Sequence, residues 1–406
     1  MTRDRAVLVA AAIAAAGIIT APGCVTEEVS RTPGRFLIPE DTEGGRTFSP
    51  VDLGARFTWR RLGEVDYDDF SIPLISPDGD RMVIRGGAPP TWDAVLADPD
   101  ARPPSAATFR IVAIGDDDLR IEHEIVGPWL LGRAADATGF LIEEPRPDGS
   151  RRIGRVDWET GEATWLVDEG FVDAFGTLGP DGTLAWSRRP IDGPAFDLVV
   201  RRGDGAGTWR LPARWERSWI DPVIAPDGRT IFMLRRGDGT VELAWSRLTD
   251  ETRFRDGVST HPISVRVDAR RTRTMLAPQV GVASPAAEHA RIVFLHPDLG
   301  RLVEWSPRTD LVRPYPDRTI SAVHLDADRA VVSTPDGLAL AVLADGRGRP
   351  PSVLPLTEEP AIPRRSGRPD EPILLFRPVA GRYEVLLARF LDPDDETESL
   401  TADRDR

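Results

Sequence analysis

Apolar residues between Phe70 and Leu391 come in short runs broken by clusters of Gly, Pro, Asp and Ser, with weak helical periodicity throughout. The clearest instance runs from Trp219 to Leu234, where Trp-Ile-Asp-Pro-Val-Ile and Thr-Ile-Phe-Met-Leu flank Ala225-Pro226-Asp227-Gly228. Proline presets φ, aspartate accepts from its own backbone and glycine supplies positive φ, so the tetrad is a tight turn between two strands. The same phrase recurs at Pro77-Asp78-Gly79 before Arg81-Met-Val-Ile, and at Pro180-Asp181-Gly182 before Thr183-Leu-Ala-Trp. Worn copies stand at Asp136, at Ser284-Pro285, near Asp328 and at Pro369-Asp370.

These markers are spaced roughly 40 to 60 residues apart, a period that suits one four-stranded propeller blade. Third and fourth strands are visible within units: Ile153 to Trp158 and Ala163 to Val167 face each other across Glu159-Thr-Gly-Glu162, and Arg301 to Trp305 precedes Leu311-Val-Arg-Pro314. The expectation is an all-β chain of seven four-stranded blades. The last blade runs out at Asp392-Pro-Asp-Asp, one strand short, while Arg56-Phe-Thr-Trp-Arg-Arg-Leu62 is a spare strand ahead of the first. That strand is predicted to complete the last blade and close the ring, removing an open sheet edge. The phrase Ser/Ala-Pro-Asp-Gly followed by a short apolar strand resembles the TolB-type propeller repeat, over most of the chain. The resemblance implies a propeller in the bacterial envelope that uses its faces for protein contacts.

The N-terminus adds an address. Arg3 and Arg5 precede an apolar run from Ala6 to Ile19, shorter than a membrane span needs, and then Ala21-Pro22-Gly23-Cys24. The segment resembles a bacterial lipoprotein signal peptide, with Cys24, the only cysteine, as the acylated residue. The expected organisation is signal peptide 1–23, flexible tether 24–53, propeller 54–391 and an acidic tail 392–406. This places a monomer in the cell envelope, lipid-anchored, facing the periplasm or the cell surface.

Composition narrows the chemistry. All 51 basic residues are arginine and no asparagine occurs, so a Walker A lysine, a Schiff-base lysine and an Asn-linked glycan are ruled out. A net charge of −14 disfavours nucleic acid. His123, His261, His289, His296 and His324 lack metal-ligand spacing, and no Gly-x-Ser-x-Gly elbow is present. Asp78, Asp181 and Asp227 could present a ring of carboxylates, but each is expected to be used within its own turn. Arg202-Gly-Asp204 and Arg236-Gly-Asp238 fall where hairpin turns are expected. Six tryptophans at strand ends, Trp158, Trp165, Trp186, Trp209, Trp245 and Trp305, are expected in the core. The long insertion 88–107 makes Trp92 and Asp93 the candidate binding loop. The functional expectation is a non-catalytic scaffold that binds a protein or an envelope component and uses no cofactor or metal. The alternative is a carbohydrate-active lyase or hydrolase with carboxylates or histidines converging on the axis.

Overall fold

A computed structural model describes residues 35–390 except 41–46, 53–56, 66–72, 87–106, 116–117, 168–169, 206, 214–216, 226, 238–239, 267–291, 297–300, 307–310, 317, 320, 325–328, 343–351, 365–372 and 380–381. Cys24, Trp92, Asp93 and Pro226 lie outside the described residues.

Within the segment expected as a tether, β1 (Arg35–Glu40) pairs antiparallel with β2 (Thr47–Asp52). After β3 (Phe57–Val65), the chain builds one small sheet after another, each from strands consecutive in sequence. The first comprises β4 (Leu74–Ile75), β5 (Arg81–Gly86), β6 (Ala107–Ile114) and β7 (Leu119–Gly127). Next come β8 (Leu130–Ala135), β9 (Gly139–Pro145), β10 (Arg151–Asp157) and β11 (Ala163–Trp165). Then follow β12 (Phe171–Leu178), β13 (Leu184–Pro190), β14 (Asp197–Arg201) and β15 (Thr208–Leu211), linked to the previous sheet by one parallel pairing of Arg151 with Val172.

The fourth sheet holds β16 (Ser218–Ile224), β17 (Thr230–Gly237), β18 (Thr240–Arg247) and β19 (Ser259–Arg266), with the short helix α1 (Glu251–Asp256) between the last two. Three strands follow, β20 (Ile292–His296), β21 (Arg301–Ser306) and β22 (Leu311–Pro314). The next sheet is β23 (Ser321–His324), β24 (Arg329–Thr334), β25 (Gly337–Val342) and β26 (Ser352–Thr357). The last contains β27 (Ile362–Arg364), β28 (Ile373–Val379) and β29 (Arg382–Phe390), and its fourth strand is β3. Register runs from Tyr383 opposite Val65 to Phe390 opposite Phe57. The chain is therefore all-β, a propeller-like arrangement of small antiparallel sheets.

Both faces of these sheets are apolar, and the core lies between successive sheets. Val83, Phe109 and Ile111 share a cluster with Phe140, Ile142 and Trp158 of the next sheet. Leu198, Val200 and Trp209 meet Trp219, Ile231 and Met233. Val331, Leu338 and Leu340 meet Ile373, Leu375 and Leu386. Leu374, Phe376 and Val385 of the last sheet, with Leu62 and Val65 of β3, pack on Met82, Ile84 and Val112 of the first. Of the strand-end tryptophans, Trp158, Trp186, Trp209 and Trp305 are buried, and Trp165 and Trp245 pack partly buried against the core.

Sheet spacing leaves little room at some positions. A Cβ on Gly139 would lie 2.1 Å from the Val156 carbonyl oxygen, inside the β9–β10 ladder. Gly139→Ala is therefore expected to lower stability by about 1–3 kcal/mol, the usual range for overpacking. Urea unfolding reads this directly, and an unchanged midpoint would show that the ladder adjusts freely.

Candidate functional site

The repeat turns use their aspartates mainly within the turn, though Asp181 Oδ2 also lies 3.6 Å from Arg202 Nη2. Ser76 Oγ donates to Asp78 Oδ1 at 2.5 Å, and Gly79, at φ 79°, donates its N–H to the Ser76 carbonyl. Asp181 Oδ1 accepts from Thr183 N at 3.0 Å, and Gly182 has φ 77°. Asp227 accepts from the N–H groups of Arg229 and Thr230 and from the Thr230 hydroxyl, beside Gly228 at φ 63°. In the degenerate copy, Asp136 accepts from Thr138 and Gly139 in the same manner. Pro77 is half-buried and Pro180 exposed, each in the corner of its turn.

Asp157, in the hairpin between β10 and β11, shows what such a turn does to titration. The N–H of Thr160, followed by that of Glu159, holds its carboxyl below the ordinary value of 3.8. A depressed folded-state pKa contributes stability that is complete above the unfolded value and lost as pH falls through the folded one. Asp157→Asn should therefore flatten the acid limb of the stability–pH curve below about pH 4. Coincident acid limbs in the two proteins would overturn this assignment.

The charged constellation lies elsewhere, on the first strands of three successive sheets. β8, β12 and β16 neighbour one another, β12 in the middle. Each breaks register with its second strand: between Leu131 and Ala135, between Ala174 and Thr177, and between Ile220 and Val223. Such bulges re-aim side chains, and the re-aimed residues are Arg133, Phe175 and Asp221. Phe175 and Asp221, at φ 59° and 52°, both stand six residues before their turn aspartate, so the distortion belongs to the repeat.

Arg133 Nη1 donates to Asp221 Oδ1 at 2.6 Å, a pair that reaches past β12. The guanidinium lies 5.6 Å from the Phe175 ring centroid. Asp221 is 1% exposed at its side chain and Arg133 40%. Beneath them, Phe175 N donates to Glu143 Oε1 at 2.6 Å, and Glu143 Oε2 faces Arg151 Nη1 at 3.3 Å. A left-handed backbone at a bulky residue costs about 1–2 kcal/mol, and the buried carboxylate holding the Phe175 N–H offsets it. One step away, fully buried Asp173 accepts from Trp186 Nε1 at 2.7 Å and from Arg188 Nε and Nη2 at 2.7 and 3.0 Å.

Glu143, Arg188 and Arg85 each stand seven residues after the turn aspartate of their own repeat. Arg85 is 4% exposed, and burial pulls the pKa of its guanidinium below the ordinary value. Glu143, Asp173 and Asp221 thus each face an arginine, with backbone or indole N–H donors completing two of them.

Sequence reasoning missed Arg133, Phe175 and Asp221. Asp221 sits inside the most regular repeat phrase and reads there as an ordinary strand residue. For Phe175 and Asp221 the available signal was position within the repeat, six residues before their turn aspartates; Arg133, three before Asp136, shares no such offset.

A propeller-like all-β protein with a salt-bridged first-strand network is the class these features define. No family model matches the chain, and no curated protein matches it. Among solved structures it is similar to TolB from Acinetobacter baumannii (12% identity, TM-score 0.37), over 76% of this chain and 65% of that one, just under two thirds of its length. It is also similar to oligogalacturonate lyase from Vibrio parahaemolyticus (11%, 0.45, covering 82% and 97%) and to the β-propeller domain of Myceliophteria thermophila Cps50 (10%, 0.47, covering 81% and 98%). The structural neighbours thus include TolB proteins and other propellers. With every one of these TM-scores below 0.5, the fold class rests on the sheet order and turn chemistry above.

Proposed function

We propose that the chain is an envelope lipoprotein, anchored through Cys24, whose propeller is a non-catalytic scaffold for a protein or envelope component. The observation carrying this reading is that three buried carboxylates on first and second strands, Asp221, Asp173 and Glu143, are already committed. Asp221 pairs with Arg133, Asp173 with Arg188 and Trp186, and Glu143 with Arg151 and the Phe175 N–H. The scaffold is a ring of seven blades closed by β3. Supporting this are the β3–β29 ladder and the core that the last sheet shares with the first. The lipid anchor is supported by Arg3, Arg5, the apolar run to Ile19 and the lone Cys24; acyl chains there would hold the protein stably at a membrane. The binding loop proposed at Trp92 and Asp93 is supported by the length of insertion 88–107.

The test is capture of crosslinked partners from solubilised envelopes, with the full acylated chain as bait and a chain lacking 88–107 as control. A stoichiometric partner lost with the loop supports the scaffold and locates its face. Failure to retain any protein overturns the protein-binding form of the reading and turns the test to envelope polysaccharide. Cys24→Ser is expected to move the protein from the membrane to the soluble fraction, and unchanged fractionation would refute the anchor.

A second reading, a carbohydrate-active enzyme, draws on one observation: Arg133, Glu143 and Asp221 come from three different strands of two sheets and converge on a single network. Turnover of acidic or neutral oligosaccharides, abolished by Asp221→Asn, would favour it.

A further inference from the structure

We propose that Arg133 is a recognition point for a carboxylate presented by an acidic side chain of the partner protein; this rests on the scaffold reading. Three features fix the guanidinium. Nη1 donates to Asp221 at 2.6 Å, the Phe175 ring lies against the charge at 5.6 Å, and the bulge in β8 sets where the side chain leaves the strand. Among the described residues, these are the only hydrogen bond and ring contact of Arg133, and its side chain is 40% exposed. The Nε–Nη2 edge has no hydrogen-bond partner among the described residues. That edge is the one that takes a carboxylate side-on with two parallel N–H···O bonds.

The pairing also selects the ligand's charge. Buried Asp221 already offsets the guanidinium, so the pair is close to neutral before anything binds. A second monoanion leaves it at about −1, whereas a phosphate dianion leaves it near −2 inside a protein of net charge −14. A carboxylate is therefore preferred over phosphate, and Asp221 is the residue that imposes the preference. A lone surface arginine would lack this selectivity, because nothing would hold its fork or discount its charge.

The experiment uses the full acylated chain in detergent at fixed ionic strength, following the Arg133 Nε–H signal by NMR, assigned by its loss in Arg133→Lys. The probes are acetyl-Gly-Glu-Gly-amide, its Gln counterpart and inorganic phosphate. A saturable shift with the Glu peptide, weaker by about tenfold or more with the Gln peptide, is expected. Phosphate should bind more weakly than the Glu peptide to the native chain and at least as tightly to Asp221→Asn. Asparagine tolerates the left-handed backbone at 221 and keeps the fold. No saturable shift, or a phosphate response unchanged by Asp221→Asn, overturns the proposal.

Partner capture separates this idea from the one beneath it. A partner lost with Arg133→Gln supports both. A partner kept equally by Arg133→Gln sinks the role of Arg133 and leaves the scaffold standing. If neither chain captures a partner, the protein-binding form of the scaffold reading fails, and the assignment of the carboxylate to a protein fails with it.

Discussion

Removing residues 57–65 is expected to abolish cooperative folding of the sheets that remain. β3 supplies the whole outer ladder of β29, and its Leu62 and Val65 are 6% and 7% exposed within the core that joins the last sheet to the first. Each such side chain contributes about 1.5–3 kcal/mol on burial. Together with the lost ladder and the bare edge, the deficit is on the order of 5 kcal/mol or more, comparable with the total stability of a typical domain. Charge is lost as well: Arg61 Nε donates to Glu384 at 2.6 Å, and Glu384 also holds Arg377 across the β28–β29 hairpin. The measurement is thermal unfolding by circular dichroism, with a synthetic peptide of residues 57–65 added in trans. A broad, early transition that the peptide sharpens and raises is the expected outcome. A truncated chain that melts like the intact one would show that the fold does not depend on β3.

The second large effect is expected at Asp173→Ala. This carboxylate is fully buried and accepts from a buried indole N–H and from two guanidinium nitrogens. Alanine leaves the Trp186 donor without its acceptor and the Arg188 cation, 21% exposed at its side chain, without its counter-charge. Breaking such a pair from one side costs about 3–5 kcal/mol. Urea titration should show the midpoint falling sharply at unchanged slope. The double replacement Asp173→Ala with Arg188→Leu is predicted to recover part of the loss, since it removes the orphaned charge as well as its partner. A single mutant within about 0.5 kcal/mol of the parent would contradict the burial argument.

The fold was legible because its information is local. Pro-Asp-Gly at Pro77, Pro180 and the turn of Asp227 specifies backbone angles whatever surrounds it, and the flanking runs have strand length and strand composition. The spare strand at 56–62 could be matched to the short last unit by counting alone. The first-strand network was not legible for the opposite reason. Arg133, Phe175 and Asp221 acquire their relation only when three sheets stand side by side, and no spacing along the chain records that. A phenylalanine in a strand announces packing; that it occupies a left-handed bulge and stacks under a guanidinium depends on Glu143, thirty-two residues earlier, catching its N–H. Charge misled in the same direction. Arg133 and Arg188 look like solvated surface arginines in an arginine-rich chain, yet each serves a carboxylate buried on another strand.

The pairing of β3 with β29 also sets an order of events during synthesis. Arg61 and Glu384 are 323 residues apart, so β3 leaves the ribosome long before its neighbour exists. Bringing such distant segments together costs about 5 kcal/mol of chain entropy beyond a constant, and contacts of this range slow folding. Throughout elongation β3 is an unpaired nine-residue strand with an apolar face, able to pair with other chains as readily as with its own end. Crowded nascent chains should therefore exchange this strand, and short-lived swapped oligomers are the kinetic trap to look for on refolding at high concentration.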